Sequence, residues 1–300
     1  MVKYFYFLFL TASFAQVSDY AYTGAEATAM AGAIVSEKGG NWSIFHNPAG
    51  MTEIKGMHFS ACSGKLYGFN WMPSNNLIGI LPLPLIGKFG FALQEFEVNY
   101  GGTTLSKEQT LSISQGFGLQ HDKNSRLSIG YTANFIRWDL GKSAGPSGDG
   151  SDGFELGRIN SVSVDFGVLA SLRKQYRFGV FLKNINSGAV GKGITREILP
   201  QRINTGITYM PMTELATSIV AEHLLGKEDL QIKGAIRYNL NTHIIIYSGV
   251  QFNPNRIGFG FKLHFGNQNN LVGNNLTITY SILSHPILPM TQQISVGFNL

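Results

Sequence analysis

Six charged residues sit inside segments that otherwise alternate between oily and small polar side chains: Asp165, Lys183, Glu222, Lys233, Arg237 and Lys262. They fall mostly on the polar phase, where an enclosed interior can hydrate or pair them. A Lys or Arg facing lipid at mid-depth would cost up to ~2–4 kcal/mol. Two roles are open to them: a polar network around whatever fills that interior, or a set that selects an anionic or amphipathic ligand. Glu95 and Glu97 stay unplaced, because the alternation over 89–100 changes phase.

A second group is Asn47, Pro48, Ala49 and Gly50. Pro48 fixes φ and removes a donor, and Asn47 before it is pushed toward extended backbone. The pair predicts a rigid turn whose amide can satisfy backbone groups inside a polar lumen, with direct ligand contact as the competing role.

Other chemistries find no support in residue spacing. The histidines at 46, 58, 121, 223, 243, 264 and 285 form no i, i+4 pair and no cluster with Cys62, so no metal site is expected. Gly258-Phe-Gly-Phe-Lys262 lacks the third glycine and the strand-to-helix context of a nucleotide loop. The Asp- and Gly-rich stretch 141–153 lacks EF-hand spacing and reads as a flexible surface loop. No Ser, His and acid set stands out, so the chain reads as non-enzymatic and without a cofactor. A net charge of +5 comes from dispersed Lys and Arg, which argues against a nucleic-acid partner.

The elements that carry these residues are strands. The 300 residues are 44% apolar and only 14% charged, against roughly 25% charged in soluble proteins, so much of the chain must be buried in or coated by something apolar. A single cysteine excludes an intramolecular disulfide framework. Met1 to Ala15, with a basic start, a short apolar run and Ser13-Phe14-Ala15, reads as a signal peptide. Nothing after it is long and apolar enough for a membrane helix.

Period-2 alternation recurs instead. Leu127, Ile129, Tyr131, Ala133 and Phe135 oppose Ser128, Gly130, Thr132 and Asn134. Similar runs follow over 161–172, 176–183, 256–265 and 275–283, with Leu169 the one violation in the first of them. Several are about 9–12 residues long, close to the ~9–11 of a tilted transmembrane strand. Fourteen strands are expected: 55–63, 66–81, 88–100, 109–120, 126–138, 161–172, 176–186, 202–210, 214–224, 229–238, 243–252, 256–265, 275–283 and 291–300. The implied fold is all-β, a transmembrane antiparallel β-barrel with a short N-terminal hatch segment. If Leu300 is periplasmic, 101–108, 139–160 and 187–201 are extracellular, while 121–125, 173–175, 211–213 and 239–242 are short periplasmic turns; 267–274 is the exception to that length rule.

Residues 16–54 differ from the barrel at 55–300. Gly24 to Ala33 is built almost wholly of small residues without alternation, which suits a compact plug inside the barrel; a short exposed helix is the alternative. Gly24-Ala25, Met30-Ala31-Gly32-Ala33 and Phe45-His46-Asn47-Pro48-Ala49-Gly50-Met51 resemble the N-terminal pattern of PorV/PorQ-type outer-membrane barrels, relatives of the FadL transporters. Short blocks such as Val164-Asp165-Phe166-Gly167, Leu199-Pro200-Gln201-Arg202 and Ser284-His285-Pro286 extend that similarity along the chain.

The resemblance implies a fourteen-stranded barrel in the outer membrane of a Gram-negative cell, with outer-membrane lipid around it. It further implies a docking or accessory component for protein export by the type IX system, with secretion proteins or cargo as partners. Passive transport of a small hydrophobic molecule, as in FadL-like members, is the alternative. A secreted soluble β protein is a further one, if the greasy phases pack on each other.

Overall fold

The computed structural model describes residues 21–300 apart from 38, 85, 142, 144, 149–150, 187, 191–196, 227–228 and 267–274. The expected signal peptide and residues 16–20 of the expected hatch lie outside the described residues.

Fourteen antiparallel strands close into one barrel. In chain order they begin with β1 (His58–Lys65), β2 (Pro73–Leu83), β3 (Gly87–Tyr100), β4 (Thr103–His121), β5 (Ser125–Asp139), β6 (Arg158–Leu172) and β7 (Tyr176–Lys183). A two-residue ribbon, β8 (Ala189–Val190) with β9 (Glu197–Ile198), lies outside the barrel sheet. The wall resumes with β10 (Arg202–Met212), β11 (Leu215–Leu224), β12 (Asp229–Asn239), β13 (Ile244–Phe252), β14 (Arg256–Phe265), β15 (Asn275–Leu283) and β16 (Thr291–Asn299). β16 pairs with β1 from His58 opposite Asn299 to Lys65 opposite Gln292, and Met57 and Leu300 exchange both backbone hydrogen bonds just beyond. Closure leaves the barrel sheet no unpaired edge, as a strand structure in lipid requires.

The two phases of each strand have opposite fates. On β12, Lys233 is 1% exposed while its neighbour Ile232 is 48% exposed. Ile219, Ile257, Phe259 and Phe135 likewise stand on the outer surface. The oily set therefore faces out around a closed ring and does not pack on a second sheet, which removes the arrangement a soluble protein would need. Leu169 is buried on the inner phase, so its break in the pattern marks an interior contact.

Three expectations need correction. The strand expected over 66–81 is broken: Leu66–Gly68 forms a 3-10 turn with Tyr67 at φ 52, and β2 starts only at Pro73. The loop expected at 101–108 shrinks to a turn at 101–102, because β3 and β4 run on to Tyr100 and from Thr103. Glu95 and Glu97 lie on the outer phase, where Lys107 bridges both, 2.9 Å from Glu95 Oε2. The phase of β3 does not change; above the oily belt its outward positions meet solvent and turn polar.

The barrel has a long-loop end, with 140–157 and 184–201, and a short-turn end, with 122–124, 173–175, 213–214 and 240–243. The segment 267–274 lies outside the described residues.

Residues 21–54 occupy the interior. They form a helical turn α1 (Ala25–Ala29), a second turn α2 (Ser43–His46) and a 3-10 segment (Pro48–Glu53), with Ala25, Ala27, Trp42, Ala49 and Met51 fully buried. An exposed helix is not what this segment forms. The wall admits it through glycine: Gly116, Gly130 and Gly167 stand directly opposite one another across β4, β5 and β6. A Cβ on Gly130 would lie 2.5 Å from the Pro48 carbonyl carbon, and one on Gly167 would lie 2.2 Å from Asn47 Oδ1. This explains part of the high glycine content: backbone can approach backbone only where no side chain intervenes.

Candidate functional site

The hatch is fixed at its centre by Asn47. Its side-chain nitrogen donates to the carbonyls of Val35 (2.8 Å) and Val168 (3.0 Å), and its oxygen accepts from the Ala49 amide (3.2 Å). Pro48 opens the 3-10 segment directly after it. One amide thus ties two parts of the hatch to each other and to β6. Apolar contacts add to this: Trp42, Ile44 and Met51 pack on Ile78 and Ile80 of β2, and Met30 and Val35 pack with Phe181 and Val220.

Three hatch carboxylates meet three wall cations. Lys262 Nζ lies 2.6 Å from Glu26 Oε1, Arg237 Nε lies 3.3 Å from Glu37 Oε2, and Arg177 Nη2 lies 3.5 Å from Glu53 Oε2. Ser218 also donates to Glu37 at 3.0 Å. Burial alone would raise the Glu26 carboxyl, but Lys262 beside it more than offsets this and holds it below the usual carboxylate range. Buried ions of one sign need partners, and the hatch supplies them.

A second charged group lies toward the long-loop end. Glu222 is held between Arg202 Nη1 (2.5 Å) and Lys233 Nζ (2.6 Å), and Lys233 also sits 4.9 Å from the centre of the Tyr22 ring. Asp165 accepts from Asn134 Nδ2 (2.7 Å) and from the backbone amide of Asn184 (2.8 Å). Asp165, Lys183, Arg202 and Glu222 line a cavity of about 110 Å³ between the hatch and strands β3 to β7, β10 and β11. Phe45 and His46 of the hatch face it from the other side. The His46 ring donates through Nε2 to the Thr23 carbonyl at 2.8 Å; burial outweighs that bond and lowers its pKa to about 4, so the ring is neutral at pH 7.

The six residues singled out in the sequence therefore fall into two sets. Asp165, Lys183, Glu222 and Lys233 surround the cavity or stand behind it, while Arg237 and Lys262 hold the hatch. Sequence reasoning missed Glu26, Glu37, Glu53, Arg177 and Arg202. A signal was present: the inward phase carries more cations than acids, so a plug filling that lumen has to bring carboxylates. Ile136, Trp138 and Leu199 form an apolar cluster at the long-loop end. Among the described residues, no group of three His, Cys, Asp or Glu side chains is placed to hold a metal ion.

No protein-family profile and no curated protein sequence matches the chain. Its fold does match solved structures. The toluene transporter TodX of Pseudomonas putida superposes with a TM-score of 0.61 at 13% identity, over 92% of this chain and 98% of that one. The toluene transporter TbuX of Ralstonia pickettii gives 0.56 at 11% identity, over 92% and 96%. A FadL homologue from Pseudomonas aeruginosa gives 0.53 at 10% identity, over 92% and 98%. At these identities the likeness concerns the fold: a FadL-like fourteen-stranded barrel.

Proposed function

We propose that this chain resides in the outer membrane and conducts small hydrophobic or amphipathic molecules across it, with residues 21–54 acting as the gate. The observation that carries this is the cavity above a hatch held by ion pairs and one central amide. A solute entering from the long-loop end would reach the cavity first, and passage would then require the hatch to shift. Similarity in fold to toluene transporters supports this class of cargo over a protein. The test is uptake of radiolabelled toluene by cells with and without the gene. The proposal expects slower uptake in the deletion strain and recovery on complementation; equal uptake in both strains contradicts it.

A second reading, docking of secreted cargo in the PorV/PorQ manner, rests on the N-terminal sequence blocks and the Asn47 to Gly50 motif. It predicts that the same deletion strain loses secretion of exported proteins while toluene uptake is unchanged.

A further inference from the structure

We propose that the cavity selects a neutral, hydroxylated single-ring compound over a bare hydrocarbon of the same shape. This deepens the transport proposal and rests on it, since the site is the same. The volume of about 110 Å³ lies below the ~150 Å³ of an apolar cavity that holds benzene, so it admits no more than a single ring.

The lining argues for the hydroxyl groups. Phe45, Phe181 and Ile136 offer apolar contact to a ring, but Thr110 and Asn204 reach into the same space from β4 and β10. Neither of these two makes a side-chain hydrogen bond among the described residues. A hydrocarbon would cover both and satisfy neither, and a polar group covered without a partner costs affinity. A ring with hydroxyls can donate to the Asn204 oxygen and accept from the Thr110 hydroxyl.

Charge argues for neutrality. The charged side chains of the lining itself, Lys183, Arg202, Asp165 and Glu222, sum to zero, and Lys233 behind Glu222 is already paired with it at 2.6 Å. His46, uncharged at pH 7, adds none. An ionic ligand would gain from one pair of these and be repelled by the other.

Hydroquinone and p-xylene form a matched pair of probes, equal in shape and differing only in hydroxyl against methyl. Calorimetric titration of the full-length barrel in detergent, with detergent-only blanks, is expected to give saturable binding of hydroquinone at least about tenfold tighter than p-xylene. The isosteric changes Thr110→Val and Asn204→Leu should each weaken hydroquinone by about threefold to tenfold, the loss of one hydrogen bond, and strengthen p-xylene. Retained heat-modifiable migration of both variants shows that the barrel still folds. Equal or tighter binding of p-xylene, or no binding of either probe, overturns the proposal. Toluene uptake that still depends on the protein would leave the transport proposal standing in that case; loss of that dependence removes the transport proposal separately.

Discussion

Lys262, on the third strand from the chain's end, lies 2.6 Å from Glu26 in the first helical turn of the hatch. The contact joins residues 236 positions apart, and both side chains are buried between barrel wall and hatch. Removing one partner of such a pair costs about 3–5 kcal/mol, because the other charge is left buried alone.

Lys262→Met should therefore release the hatch, seen as raised single-channel conductance in planar bilayers. The double variant Lys262→Met with Glu26→Gln removes both charges and should recover a conductance near that of the parent. Equal leakiness in the single and double variants would show that the pair does not hold the hatch.

Asn47→Ala deletes three hydrogen bonds at once, with a net loss of about 1.5–4.5 kcal/mol. Hatch opening should become more frequent while the barrel stays heat-modifiable on gels. Gly130→Val should act more strongly, since its Cβ would meet the Pro48 carbonyl carbon at 2.5 Å while a β-branched residue suits the strand itself. Unchanged conductance in both variants would contradict the packing described.

His46 predicts a pH dependence. Its pKa is about 4 in the folded hatch against about 6.5 when exposed, so the released state binds the proton more tightly. The stability of the closed hatch is full above pH ~6.5 and falls as pH drops toward 4. Conductance should rise across that window, and His46→Gln should flatten the part of the rise above pH 5, where carboxylates titrate least. An identical profile in the variant would remove His46 from the account.

Orientation follows from the two unlike ends of the barrel. An epitope tag inserted at Gly148, in the long loop 140–157, should bind antibody on intact cells. A tag at Asn241, in the turn 240–243, should bind only after the outer membrane is permeabilised. The reverse result would invert the topology.

Most of the wall was legible because lipid and lumen impose opposite demands on alternate residues. Segments 256–265 and 275–283 carry that alternation over their full length, and β14 and β15 span those same residues. Where the outward phase leaves the oily belt the signal fades, which is why Glu95, Glu97 and Thr103 to Lys107 were hard to read. The turn at Leu66–Gly68 was hidden for another reason: Tyr67 adopts a left-handed conformation that its residue type does not advertise. The hatch ion pairs were illegible individually, since pairing Glu26 with Lys262 depends on a register that only the closed barrel sets.

Outward positions are expected to face lipid around a plugged lumen. Spin labels at Ile219 and Ile257, placed one at a time in a Cys62→Ser background and reconstituted in lipid vesicles, test this by collision with oxygen and with a water-soluble nickel chelate. High oxygen and low nickel accessibility at both positions, with the opposite pattern at Asn241, is the expected result. Nickel accessibility at Ile219 and Ile257 equal to that at Asn241 would contradict it.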